Sequence, residues 1–235
     1  MLCTGYESLS YFMSKKISVN TSSLQTCTIY IYAKEDTALN VEVRSSNGTT
    51  LVPIESRIFS HRTIILEGEI CEKTAIDFAE KVLDLNLEDE TKPITVLINS
   101  PGGSVDDGLL IYDVIHSSKA KIRLICLGKA YSMAAVLLSA GTAGRYILPH
   151  SKTMLHEPLL SKGIAGNCSS IRSISDSMMM TKSLINGLLA KHTGKTEEEI
   201  EQATSYDHFM SAEESVDFGL CDGIIEFNEI MEVMK

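Results

Sequence analysis

The chain lacks any pair of cysteines spaced for a metal or redox motif. Its six cysteines, Cys3, Cys27, Cys71, Cys126, Cys168 and Cys221, are scattered, with no CxxC. That spacing argues against zinc, and several of the thiols sit inside apolar runs, as reduced core cysteines of a cytoplasmic protein would. No apolar run approaches the roughly 20 residues needed to span a bilayer. The opening segment, "MLCTGYESLSYFMSKKISVN", has no continuous apolar core and places its lysines after the apolar residues, against a secretory signal. Positive charge is in deficit too. With 21 Lys and Arg against 31 Asp and Glu, the net charge of −10 argues against nucleic acid or an anionic membrane as partner. Internal repeats and low-complexity segments are absent. What remains is 235 residues, 44% hydrophobic and 22% charged, enough for one good-sized core or one domain with an appendage. Nothing in it implies a cofactor.

Residues 1–51 differ from the rest, being rich in Ser and Thr with strand-like pieces at 27–34 and 39–54. Asn47-Gly48, between two β-prone runs, predicts a hairpin turn. Met13 is as plausible a start as Met1. Residues 52–235 form the second region, where strand and helix patterns alternate from about residue 62. Strands are expected at 63–70, 94–100, 122–127, 145–149, 153–156 and 223–227. Helices are expected at 73–86, after the "PGG" turn at 101–103, at 133–141 and over much of 168–192. Capping boxes, Thr196 with Glu199 and Ser211 with Glu214, open two more. Repeated β-then-α units predict an α/β fold with a mostly parallel sheet flanked by helices.

Ser132, in "GKAYSMAAVLLSAG" (128–141), sits where the strand gives way to the helix. Its local sequence reads first as a helix N-cap. Yet Ala130 and Ala134, two residues to either side, are small, as a tight strand-to-helix turn needs if it is to expose a nucleophilic hydroxyl. "NSPGGS" (99–104) ends a neighbouring strand, where two glycines can turn backbone N–H groups toward a ligand. Ligands gather at the carboxyl ends of parallel strands. A base must come from six histidines; His156 alone ends a short strand and precedes an acidic-Pro turn. Among 31 acidic residues the sequence selects no orienting acid.

Taken together, "INSPGGSV", "GKAYSMAAVLLSAG", "MLHEPL" and "AKHTGKTEEEIEQATSYDHFMSAEESVDFGLCD" resemble the proteolytic subunits of Clp proteases (ClpP), over about residues 52–235. The resemblance implies a ClpP/crotonase-like α/β fold of repeated β-β-α and βα units with a projecting helix-strand handle. It implies a Ser-His-Asp triad, Ser132, His156 and Asp207, with oxyanion donors at the backbone N–H groups of Gly103 and Met133. Gly102, Gly103, Ser104, Pro158 and Leu159 would bind substrate as an added strand. His192, in "HTG", is then a helix-end residue. The implied partners are the chain itself, in heptameric rings stacked as a tetradecamer, an AAA+ unfoldase ATPase, and unfolded protein or peptide substrates. Leu97, Ile125, Leu127, Tyr146 and Leu148 match the family's ATPase-docking pocket. The chain departs from the pattern at Tyr131 and Ala134, at Ser205 and Tyr206 in place of an acidic-Arg pair between rings, and throughout residues 1–51. Two alternatives stay open: an inactive or regulatory ring subunit, and a crotonase-fold acyl-CoA enzyme.

Overall fold

Apolar, β-branched runs alternate with amphipathic ones from residue 63 onward, and the chain folds to match. The computed structural model describes residues 15–18, 28–31, 39–45, 48–160 and 165–233, divided into two units, Met1–Ser60 and His61–Lys235. In the first unit, β1 (Lys15–Ser18) pairs antiparallel with β2 (Thr28–Ile31). β3 (Asn40–Ser45) and β4 (Gly48–Pro53) form the expected hairpin, with Ser45 opposite Gly48; Asn47 itself lies outside the described residues. A short α1 (Ile54–Phe59) follows.

The second unit carries β5 (Thr63–Ile70), α2 (Glu72–Glu88), β6 (Ile94–Gly103), α3 (Val105–Ser117), β7 (Ile122–Tyr131) and α4 (Met133–Ser139). It continues with β8 (Arg145–Ile147), β9 (Lys152–Leu155), α5 (Cys168–Thr193), α6 (Glu197–Thr204) and β10 (His208–Met210). It closes with α7 (Ala212–Phe218), β11 (Gly223–Ile224) and α8 (Phe227–Val233). Seven strands make one sheet in the order β10-β9-β7-β6-β5, with β8 against β7 and β11 against β8. Every pairing is parallel except β10 with β9. β7 is long enough to serve two neighbours: Leu124–Cys126 pair with β8, and Lys129–Tyr131 pair with β9. All seven residues of α4 are buried, so this helix is apolar all round, as a helix inside the core must be. Among the described residues, no helix is long and apolar enough to cross a membrane.

Several elements differ from expectation. The "PGG" at 101–103 is no turn; β6 runs through it, with a register shift between Ile98 and Ser100. The buried Ser100 hydroxyl pins that irregularity. It donates to Gly68 O at 2.6 Å and accepts from Gly102 N–H at 3.1 Å, supplying bonds the shifted ladder cannot. Ser151 does the same for β7, accepting from Gly128 N–H at 2.7 Å and donating to Cys126 O at 3.3 Å. β7 therefore continues past 127 to Tyr131. β1, β10 and α8 were not anticipated, and the strand expected at 223–227 keeps only two residues. Of the expected handle, the helix is α5, whose buried residues Ile185, Asn186 and Leu189 all lie toward its C-terminal end. Around the segment expected to carry its strand, 157–160 and 165–167 carry none, and 161–164 lie outside the described residues.

One side chain fastens the helices to the sheet. Arg145 on β8 donates through Nη1 to the carbonyls of Ser139 (3.3 Å), His192 (2.9 Å) and Gly219 (2.8 Å). Those carbonyls end or follow α4, α5 and α7, where the backbone dipole is negative. Its remaining nitrogens engage the Asp222 carboxylate, Nε at 3.0 Å. Among the cysteines, Cys126 and Cys221 are buried, Cys71 is half-buried and Cys168 is exposed. Burial pushes the Cys126 thiol up to about 12.

Candidate active site

β7 delivers Ser132 at its end, in a backbone conformation that side chains rarely adopt. Its φ of 53° and ψ of −124° make it, with Arg62, one of two non-glycine residues at positive φ among the described residues. Such a conformation persists only where its surroundings over-determine it. Here they do: Ser132 N–H donates to Met154 O (2.7 Å), and Ser132 O accepts from Ala135 N–H (2.9 Å) and Val136 N–H (3.3 Å). The hydroxyl makes no cap bond to α4, so the N-cap reading of Ser132 fails for its side chain. The result is a sharp strand-to-helix turn that leaves the hydroxyl uncommitted, as nucleophile elbows do.

The glycine end of β6 lies against this turn. A Cβ on Gly102 would stand 2.6 Å from Tyr131 O, 2.9 Å from Ser132 Cβ and 3.1 Å from Met133 N. Gly102 has φ +89°, and a Cβ on Gly103 would collide with the Ile70 backbone. The structure thus brings Gly102 against Ser132 and Met133, while its neighbour Gly103 lies against Ile70. Ser104 opens α3, its hydroxyl accepting from Asp107 N–H at 3.3 Å. Pro158 is half-buried and Leu159 is 65% exposed, beyond the end of β9.

His156 and Asp207 arrive on adjacent strands. β9 is parallel to β7, with Tyr131 opposite Met154, so His156 follows directly beyond the turn that carries Ser132. β10 is antiparallel to β9 with His208 opposite Leu155; one further step puts Asp207 opposite His156. The three residues therefore sit at one end of three neighbouring strands. Among the described residues, no hydrogen bond joins Ser132 to His156 or His156 to Asp207. Instead His156 Nδ1 lies 2.7 Å from the Glu157 carbonyl, which can only accept, so Nδ1 carries a proton. Glu157 is itself anchored. Its N–H donates to Thr204 O at 2.8 Å, and its carboxylate lies 3.0 Å from Lys182 Nζ. Lys182 also pairs with Glu201 at 2.9 Å, and these two carboxylates, Glu201 foremost, push its ammonium pKa upward. Lys182 carried no expectation from sequence, because its partners lie on other elements.

The remaining histidines are placed elsewhere. His61 and His150 are exposed, and His208 packs edge-on to Phe218 of α7 at 5.8 Å. His192 stacks on His116 at 5.2 Å, and its Nε2 lies 2.8 Å from Tyr112 Oη, joining α5 to α3. Burial foremost, then the positive fields of His116, Lys191 and Arg145, lower the His192 pKa to about 4. Burial also lowers that of His116. An unfolded histidine titrates near 6.5, so below that pH the unfolded chain binds protons that the folded one refuses. Stability drawn from this pair is present above about pH 6.5 and falls as pH drops toward about 4. Melting temperature measured from pH 7.5 to 4 should decline across that window, and His192→Gln should flatten the slope; an unchanged slope in the variant would refute the assignment.

On the opposite half of the sheet, Leu97, Ile125 and Tyr146 stand in one register across β6, β7 and β8. Ile125 is fully buried between them; Leu97, Leu127, Tyr146 and Leu148 are half-buried. Ile65, 40% exposed and paired with Leu97, extends the row.

A protein-family model described as Clp protease matches residues 46–228. The match runs from β4 into α8, across the whole sheet and every element that positions Ser132, His156 and Asp207. The chain therefore belongs to the Clp protease family, as a ClpP-like peptidase of mixed α/β fold.

Proposed function

We propose that this chain is a serine endopeptidase and the proteolytic subunit of an ATP-dependent Clp-type protease, cleaving unfolded proteins and peptides. The observation that carries the reading is the uncommitted hydroxyl of Ser132 on a strained turn at the end of β7, with His156 just past the end of neighbouring β9 and Asp207 just before β10. Ser132 Oγ attacks the scissile carbonyl while His156 Nε2 takes its proton. Asp207 orients the imidazole through Nδ1–H, and the N–H groups of Gly103 and Met133 receive the oxyanion. His156 then returns the proton to the leaving nitrogen, and water repeats the sequence on the acyl-enzyme. Substrate lies as an added strand between Gly102–Ser104 and Pro158–Leu159, so its backbone is read more than its side chains. The test is hydrolysis of a fluorogenic peptide together with fluorophosphonate labelling that Ser132→Ala abolishes.

Assembly is the second half of the proposal. Clp protease membership implies self-association and an unfoldase partner. The reading continues to heptameric rings, stacked in pairs around a closed chamber, with docking of the ATPase through Leu97, Ile125, Leu127, Tyr146 and Leu148. Exposed Met179, Met180 and Leu184 on α5 supply an apolar face for such contacts. In the single chain His156 Nδ1 is engaged by Glu157 O, so pairing with Asp207 requires the imidazole to turn. Asp207 follows Tyr206, which is 84% exposed, so a partner ring packing on this segment would reach the acid directly. Single rings are accordingly expected to be about a hundredfold or more less active per chain, since a misplaced triad member costs up to roughly 10⁴. Light scattering and peptidase assay of the same chromatographic fractions check this; full activity at heptamer mass would sink it. The uncoupled histidine also keeps a regulatory subunit in view, and robust turnover by a purified homo-oligomer would exclude that.

A further inference from the structure

At the end of the sheet that carries the candidate triad, Tyr131 on β7 stands opposite Met154 on β9, and Met154 stands opposite Phe209 on β10. Directly opposed residues share a face, so these three side chains form one row across three strands. Burial alternates along each strand. Ala130, Thr153, Leu155 and Met210 are buried, whereas Tyr131 and Met154 are half-buried and Phe209 is 54% exposed. The row is therefore on the face away from the core. His156 is two residues on from Met154 and half-buried, and Asp207 is two residues before Phe209 and exposed. Residues two apart along a strand point the same way, so the row shares its face with both. Tyr131 and Phe209 meet edge to face across Met154, with ring centroids 5.6 Å apart and planes at 90°. His156 is the diagonal neighbour of each, within reach of an aromatic ring.

The chemistry decides which part of a substrate lies here. His156 must return its proton to the leaving nitrogen, so the leaving half of the peptide passes within hydrogen-bond reach of Nε2. Groups beside His156 on its own face therefore line the leaving side. The glycine end of β6 approaches Ser132 from β7's other neighbour and serves the acyl half. We propose that Tyr131, Met154 and Phe209 form an apolar subsite for the side chain immediately after the scissile bond, and that Tyr131, braced by Phe209, sets its selectivity. The ligand class is a large apolar or aromatic side chain. Lys129 and Lys152, in register two residues back on the same face, oppose a basic one.

This inference rests on the serine-peptidase reading, and the experiment separates the two. Peptides that share one acyl half and differ only after the scissile bond (Phe, Gly or Lys) are cleaved by the intact assembly, with products identified by mass spectrometry. The wild type is expected to prefer Phe over Gly by about tenfold or more in kcat/KM, since each added buried methylene is worth a severalfold gain. Tyr131→Ala and Phe209→Ala should each pull the ratio toward one, and Tyr131→Phe should keep it. Fluorophosphonate reaction with Ser132 uses no residue after the bond, and its persistence shows that each variant is folded and competent. Persistent labelling with an unchanged ratio overturns the subsite and leaves the peptidase reading standing. Absence of labelling and cleavage in the wild type overturns both. Variants that label but fall to a smaller mass by light scattering identify the row as a contact between copies, which also overturns the subsite.

Discussion

Ser132→Ala is expected to lower peptide hydrolysis by roughly 10⁴- to 10⁶-fold and to abolish fluorophosphonate labelling, with little change in melting temperature. The two halves of that expectation have separate causes. Activity is lost because the hydroxyl is the only group at the turn that can form an acyl-enzyme. Stability is kept because the hydroxyl makes no cap bond to α4, so its removal leaves no partner unsatisfied. Alanine also keeps the Cβ, and with it the strain of φ 53°. Ser132→Gly should then be equally inactive yet more stable by about 1 kcal/mol, because glycine relieves a conformation that costs about 1–3 kcal/mol for other residues, less the entropy that glycine adds to the unfolded chain. Measured together, the variants separate nucleophile from structural residue. Residual labelling in Ser132→Ala, or a cooperative loss of structure, would remove Ser132 from the mechanism.

Much of the fold is legible in hydrophobic periodicity. β5, α2, α3, α6 and α7 fall close to where alternation, apolar stripes and capping boxes put them, since each is decided by residues within its own span. The misses are elements decided elsewhere. β10 is three residues long and exists because Met154 and its neighbours on β9 offer it an edge, so no local pattern announces it. β6 continues through Pro101-Gly102-Gly103 because the Ser100 hydroxyl replaces the missing ladder bonds, a contact to Gly68 on another strand. The same division runs through the site. Ser132 and the glycines were visible as a strand-to-helix junction and a Gly-rich strand end. His156 stood out only as the histidine that ends a short strand before an acidic-Pro turn, and Asp207 came from resemblance alone, because the pairing of β9 with β7 and with β10 is a property of the sheet. Phe209 could have been found two residues after Asp207 by period-two reasoning, but only once β10 was recognised as a strand.

Gly102→Ala should damage both activity and stability. The added Cβ would sit 2.6 Å from Tyr131 O and 3.1 Å from Met133 N, both backbone atoms, so no side chain can swing aside to admit it. Relief requires the end of β6 to separate from the turn at Ser132, which moves Gly103 N–H and Met133 N–H apart. Loss of one oxyanion donor typically costs about 10²- to 10³-fold in kcat, and the change would disturb both of the donors proposed above. The φ of +89° adds strain of about 1–3 kcal/mol on top of the collision, so melting temperature falls as well. Gly194→Ala is the matching control, because it too sits at positive φ, 75°, but has open space where the Cβ would go. It should lower stability while leaving kcat near wild type in the assembled protein. If Gly102→Ala lost no more activity than Gly194→Ala, the close approach of β6 to the Ser132 turn would have no part in catalysis. A steep fall in kcat with the labelled fraction of Ser132 reduced in step would place the oxyanion site where these two strand ends meet.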